Sequence, residues 1–127
     1  MTEVMAFKAT QKRTHEQLAT DLERIGAMAQ CFSTPESTMY CIDVMRQEVP
    51  AAMDILAESV LQPRLTDEEL ENARNIIEFQ SMQLPASILS RNAVNRAAYK
   101  GSPLGNHHLC PQDNAGAITI EQLQAFR

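Results

Sequence analysis

The histidines and cysteines are the side chains of this sequence that could bind a metal. His107 and His108 are adjacent and Cys110 follows two residues later, so two kinds of zinc ligand share one short segment. A zinc site needs three or four ligands in a tetrahedral array, whereas adjacent histidine side chains diverge. We therefore interpret this segment as a surface loop that carries imidazoles.

Composition and missing motifs exclude several other functions. The sequence contains no GxSxG nucleophile motif, no phosphate-binding glycine loop and no GxGxxG fingerprint. Its three cysteines form no CxxC pair, and so sparse and odd a set indicates a reducing, intracellular setting. Eleven Lys and Arg against sixteen Asp and Glu give a formal charge of −5, which argues against nucleic-acid binding because phosphate contacts require clustered cations. The sequence contains no run of about 18 apolar residues, so it predicts no membrane span.

The first residues resemble a catalytic segment. Residues 3–10 read EVMAFKAT, and residues 12–14 read KRT. The sequence is similar here to the pitrilysin/insulinase-type zinc peptidases, in which an inverted motif, H-x-x-E-H, is followed by M/L-A-F-K-G-T and then R-T. The resemblance implies that residues 1–127 are part of one N-terminal peptidase-like domain of a protein several times longer.

The second half resembles one branch of that family, the alpha-type subunits of mitochondrial processing peptidases. The similar stretches are residues 61–71 (LQPRLTDEELE), 97–101 (AAYKG), 104–105 (LG) and 110–111 (CP). They occur in the family's order and without large gaps. This resemblance implies a location in the mitochondrial matrix or a related organelle.

The resemblance assigns the family's zinc-site positions to specific residues. Two histidines at i and i+4 share one helical face and bind zinc, and the glutamate between them takes a proton from the bound water. Glu3 falls at the base position, Val4 at the second histidine, and the first histidine would lie one residue before Met1. The third ligand, a carboxylate from a later helix, falls at Gln80, whose amide oxygen is a poor zinc ligand. Using Glu78 instead would turn the side chain by roughly 200° and break the match at residues 63–71.

These substitutions predict a degenerate site at Glu3, Val4 and Gln80, with no catalytic, metal-binding or cofactor-binding residue in this chain. The resemblance then implies a non-catalytic alpha-type subunit whose zinc-bearing beta-type partner does the cleaving. The two would hold basic presequence peptides in a shared acidic cavity. The glycine-rich loop that alpha-type subunits use for this task is absent from this sequence.

Three alternatives remain open. The chain could be part of a core structural subunit of the respiratory cytochrome complex, which shares this fold and also lacks zinc. It could be an active zinc metallopeptidase truncated before its first histidine, or an acidic α+β interaction module unrelated to the family.

The local signals predict an α+β fold with helices packed on one face of a small antiparallel sheet. Capping boxes at Thr14 and Thr66 predict helices ending at Gly26 and near Leu84. Further helices should begin at Pro50, Pro85 and Thr119. The apolar positions expected to be buried are Leu18, Leu22 and Ile25; Met53, Leu56 and Val60; Leu70, Ala73, Ile76, Ile77 and Met82; and Leu89, Ala93 and Ala97.

Residues 30–33 and 40–45 predict a two-stranded hairpin around a turn at residues 34–37. A symmetric turn would place Cys31 opposite Cys41, which we interpret as two small buried thiols rather than a disulfide. Residues 100–117 are predicted to form a long irregular loop. Because a lone hairpin leaves unpaired edges and an uncovered apolar face, we expect self-association.

Overall fold

The computed structural model describes residues 1–106 and 110–126, so His107 and His108 lie outside the described residues. Strands and helices are interspersed up to Met82, and further helices follow. In order they are β1 (Ala9–Thr10), α1 (His15–Arg24), β2 (Met28–Ser33), β3 (Thr38–Asp43), α2 (Val49–Leu61), β4 (Pro63–Arg64), α3 (Asp67–Met82), α4 (Ala86–Ala98), α5 (Gln112–Ala117) and α6 (Ile120–Phe126). Short 3₁₀ turns lie at Arg46–Glu48 and Pro103–Gly105.

The strands form two separate antiparallel pairs, β2 with β3 and β1 with β4. Helix α1 packs beside β2 and α2 beside β3. This arrangement confirms the predicted α+β class. The sequence missed β1 and β4, because two-residue strands carry no periodic signal.

The hairpin register differs from the predicted one. Ser33 pairs with Thr38, so Cys31 faces Tyr40 and Cys41 faces Gln30. Four residues lie between the strands, and an odd-numbered residue therefore always faces an even-numbered one. The two cysteines lie on opposite faces of the hairpin and form no disulfide, and both are only partly buried.

Local hydrogen bonds explain why α1 begins and ends where it was predicted to. The Thr14 hydroxyl accepts from the Gln17 backbone, and the Gln17 side chain accepts from the Thr14 backbone. At the other end Gly26, at φ 62°, donates to Glu23, and Ala27 donates to Leu22. This paired closing pattern needs a left-handed residue after the helix, which glycine adopts without steric cost.

The best-packed core joins the N-terminal segment to α3 and α6. Its buried members are Met5, Leu70, Ala73 and Leu123. Leu70, Ala73 and Ile77 are buried as the periodicity predicts, whereas Ile76 and Met82 are exposed. The face of α3 directed at the core is therefore narrower than the predicted stripe.

Helix α2 buries a different face from the predicted one. Met53 and Val60 are exposed, while Ala52, Ile55 and Ser59 are buried. Each of these buried positions lies one residue before a predicted one, so the buried face of the helix is rotated by about 100° from the predicted face. The small side chains of Ala52 and Ser59 leave room for the strands on that side.

Two more expectations are corrected. Helix α4 has no buried residue, and Leu89 in its predicted apolar stripe is 53% exposed. The stretch predicted to be a long loop contains the turn Pro103–Gly105 and helix α5. Ser102 caps that turn and Pro111 precedes α5, which are local signals for ordered structure. Within the described residues, no helix combines the length and apolar character needed to cross a bilayer.

Candidate degenerate metal site

The first eight residues form tight turns rather than a long helix. Val4 is partly buried and packs against the core that contains Leu70 and Ala73. Phe7 adopts a left-handed φ of 54°. Its ring packs edge-on against the Tyr40 ring, with 5.7 Å between the ring centroids. The turn at Phe7 thereby leads the chain from the core into β1.

Glu3 is exposed and contacts the hairpin. Its carboxylate oxygen accepts a hydrogen bond from the Ser33 backbone N–H at 2.9 Å. The residue at the family's base position thus helps to join the N-terminal turns to the end of β2.

Gln80 lies on the exposed surface of α3. It is seven residues beyond Ala73, a distance of about 10 Å along the helix axis. Val4 packs against the core that contains Ala73, whereas Gln80 is exposed to solvent. The three predicted positions, Glu3, Val4 and Gln80, therefore lie in three different surroundings.

An open cleft of about 610 Å³ lies beside Val4, between the N-terminal segment and α3. Its charged lining residues are Lys8, Arg64, Glu68 and Glu69. One carboxylate oxygen of Glu69 is buried and has no hydrogen-bond partner among the described residues. The Thr66 hydroxyl accepts from the Glu69 backbone at 3.3 Å, so the predicted capping box is half formed.

The family's metal does not fit the residues present. Val4 has no donor atom, the Glu3 carboxylate is hydrogen-bonded to the hairpin, and Gln80 is exposed and offers only an amide oxygen. Within residues 1–106 and 110–126, no three His, Cys, Asp or Glu side chains lie close enough together to hold a metal ion. These donors provide no set on which a zinc-dependent hydrolysis could be built.

A buried ionic cluster near β1 was not foreseen. Glu58 of α2 accepts from Arg13 at 3.0 Å, from Lys12 at 3.4 Å and from the buried Thr10 hydroxyl at 3.5 Å. Arg13 also meets Asp21 at 3.0 Å, which extends the cluster to α1. A charged residue inside the apolar run of α2 was the available signal, but its partners are more than forty residues away in sequence.

Thr119 begins α6 with a complete capping box. Its hydroxyl accepts from the Gln122 backbone, and the Gln122 side chain accepts from the Thr119 backbone. A side-chain hydrogen bond from Thr119 lowers the pKa of Glu121, and a backbone hydrogen bond adds to the effect. Glu121 therefore keeps its negative charge at neutral pH.

Comparison with known proteins identifies the family to which this chain is similar. The family model described as Insulinase (Peptidase family M16) matches residues 1–112. The chain is 33% identical to the mitochondrial-processing peptidase subunit alpha of Neurospora crassa, over 97% of this chain and 22% of that protein. It is 31% identical to the human subunit alpha, over 98% of this chain and 25% of that protein.

Beta subunits match at a comparable level. The Neurospora crassa mitochondrial-processing peptidase subunit beta is 30% identical, over 95% of this chain and 26% of that protein. The crystal structure of a protease from Helicobacter pylori superposes with a TM-score of 0.80 at 18% identity, over 98% of this chain and 30% of that one, and so shares the fold. The chain spans about a quarter of the length of these curated relatives, and it belongs to the insulinase family, peptidase family M16.

Proposed function

We propose that this chain is a portion of a non-catalytic, alpha-type subunit of a processing peptidase. It would work beside a zinc-bearing beta-type subunit in the mitochondrial matrix and support the recognition and cleavage of basic presequence peptides. The observation that carries the proposal is Val4. At the family's second histidine position this chain has an aliphatic side chain, and that side chain packs against the core.

Sequence identity alone does not separate the two kinds of subunit, because alpha and beta relatives match at 33% and 30%. The donor atoms support the alpha role, since an active site of this family needs two imidazoles and a carboxylate around zinc. Val4 and Gln80 stand at two of those three positions, and neither is a good zinc ligand. This favours the alpha role over that of a truncated active peptidase.

The charge of the chain suits the proposed substrate. A formal charge of −5 attracts basic peptides over a distance set by the ionic strength. The chain would therefore contribute attraction and surface rather than bond cleavage.

The test is a cleavage assay with a fluorogenic basic presequence peptide. The full-length protein that contains this chain should release no product by itself, a purified beta-type subunit alone should release little, and the mixture should exceed the sum of the two. A mixture no faster than the beta-type subunit alone would refute the proposal.

Two further measurements address the alternatives. About one tightly held zinc per chain, by elemental analysis after dialysis, would support a truncated active peptidase. Co-purification with cytochromes from a mitochondrial extract would support a respiratory core subunit. For the proposed role both measurements should be negative while the mixture accelerates cleavage.

A further inference from the structure

Helix α4 presents a basic and apolar face that the described residues leave uncovered. No residue of α4 is buried, and its principal packing partner is the short turn Pro103–Gly105. Along one side Leu89, Ala93 and Ala97 line a shallow depression of about 380 Å³, with Arg96 and Lys100 beside them. These positions are three or four residues apart, so they share one helical face.

The charge on this helix is segregated from that of the rest of the chain. Residues 79–112 contain Arg91, Arg96 and Lys100 and no Asp or Glu. The preceding 78 residues contain seven Lys and Arg against fourteen Asp and Glu, a formal −7. Among the described residues, neither Arg96 nor Lys100 forms an ion pair. Within the part of the chain that the structure describes, the helix therefore lacks an acidic partner.

A surface of opposite charge lies where α3 and α6 begin. Asp67, Glu68, Glu71 and Glu121 line a groove of about 690 Å³ there. Its one cation, Arg74, is engaged by Glu71 at 2.8 Å and by the backbone carbonyls of Ala115 and Ile118. The other three carboxylates are exposed and form no ion pair within the described residues, and hydrogen bonds lower the pKa of Glu121, so the groove is anionic at neutral pH.

We propose that the basic face of α4 docks into the acidic α3–α6 groove of a second copy of this chain. Arg96 and Lys100 would meet the groove carboxylates, while Leu89, Ala93 and Ala97 bury apolar surface between the charges. The two surfaces are different patches, so each contact joins the helix of one copy to the groove of the next. As proposed, the assembly stays open and leaves one free helix and one free groove at its ends. This contact differs from the uncovered strand edge that the sequence suggested as the cause of self-association.

The first measurement is the weight-average mass by sedimentation equilibrium against protein concentration. The mass should rise continuously beyond the dimer, and the rise should weaken when salt is increased from about 50 mM to about 500 mM, since exposed charges are screened. A monomer at every concentration would overturn the proposal. Association that is unaffected by salt would also overturn it, because the contact would then be apolar.

Matched charge reversals localise the contact. Arg96→Glu should weaken association about tenfold or more, because it places like charges against the groove. Arg46→Glu changes the net charge equally at an exposed position outside both surfaces and should leave association within about twofold. Equal effects of the two substitutions would contradict the proposed contact.

A complementation experiment tests the head-to-tail geometry. One variant carries Arg96→Gln and Lys100→Gln and keeps its groove; the other carries Asp67→Lys and Glu121→Lys and keeps its helix. Neither should associate alone, and their mixture should form one-to-one dimers that grow no further. Failure of the mixture to dimerise, with both variants folded by circular dichroism, would refute the proposal. If the lysine pair unfolds, Asp67→Asn with Glu121→Gln replaces it, with a weaker expected effect.

Discussion

Glu58 is the residue whose side chain most directly links distant parts of this structure. Its side chain is 9% exposed and accepts hydrogen bonds from Thr10, Lys12 and Arg13. A buried carboxylate is tolerated only when such partners compensate for its lost hydration. The cluster therefore holds β1 and the start of α1 against α2, and with them the segment that leads to Val4.

Replacing Glu58 should show how much this cluster contributes. Glu58→Ala leaves the buried Thr10 hydroxyl without this acceptor and Arg13 with only Asp21. The free energy of unfolding should fall by about 1.5–3 kcal/mol, the range for hydrogen bonds to charged groups. Urea denaturation followed by circular dichroism measures it.

Glu71→Ala is the matched control for Glu58. This substitution also removes an ion pair with an arginine, Arg74, but the Glu71 side chain is 61% exposed. Such surface pairs contribute less than about 1 kcal/mol. If both variants lost equal stability, the buried cluster would have no special role.

At the residue scale, an aligned motif supplied specific positions for the site, whereas contacts between distant residues could not be predicted from the sequence. The motif placed Glu3, Val4 and Gln80 at specific positions without reference to any structure. It could not reveal that Glu3 hydrogen-bonds to Ser33, thirty residues away. The Glu58 cluster was missed for the same reason, because its partners are set by packing between elements.

At the scale of elements, helix starts were predictable because capping is local. Thr14 and Thr119 each form the reciprocal pair of hydrogen bonds with the glutamine three residues later. The buried face of α2 was not predictable, since it depends on which side the strands approach. The hairpin register failed because one residue of loop length decides which side chains face each other.

Thr119→Ala should reverse the lowered pKa of Glu121 and loosen α6. Without the hydroxyl, the pKa should rise back toward the ordinary value of 4.5, and the first turn of α6 loses its side-chain cap. NMR titration of the Glu121 carboxyl carbon measures the shift. An unchanged pKa would mean that the hydroxyl does not stabilise the carboxylate.

The sign of the pH effect follows from this lowered pKa. A carboxyl group whose pKa is lower in the folded state stabilises that state at pH values above its unfolded pKa. The stabilisation is lost as the pH falls through the folded value. The unsubstituted chain should therefore lose the small stabilisation by Glu121 in acid, and the Thr119→Ala variant should lose less stability over the same pH range.

At the scale of the whole molecule, the apolar side chains divide into a small buried core and a broad exposed surface. Met5, Leu70, Ala73 and Leu123 form the core. Along the end of α3 and into α4 lie exposed side chains, Phe79 at 61%, Met82 at 73% and Leu89 at 53%. Composition could not predict this division, because the same residue types occur in both groups.

This division predicts that substitutions at two residues of α3, five positions apart, change the stability of the protein to very different extents. Ile77 is 2% exposed, so Ile77→Ala should lower the free energy of unfolding by about 2–5 kcal/mol through lost burial and a cavity. Met82→Gln removes apolar surface that already faces solvent, and stability should change by no more than about 0.5 kcal/mol. Urea denaturation measures both, and binding of an apolar dye should fall only for Met82→Gln. A Met82→Gln variant destabilised as strongly as Ile77→Ala would mean that the end of α3 is packed, and that the chain has a larger core than the structure describes.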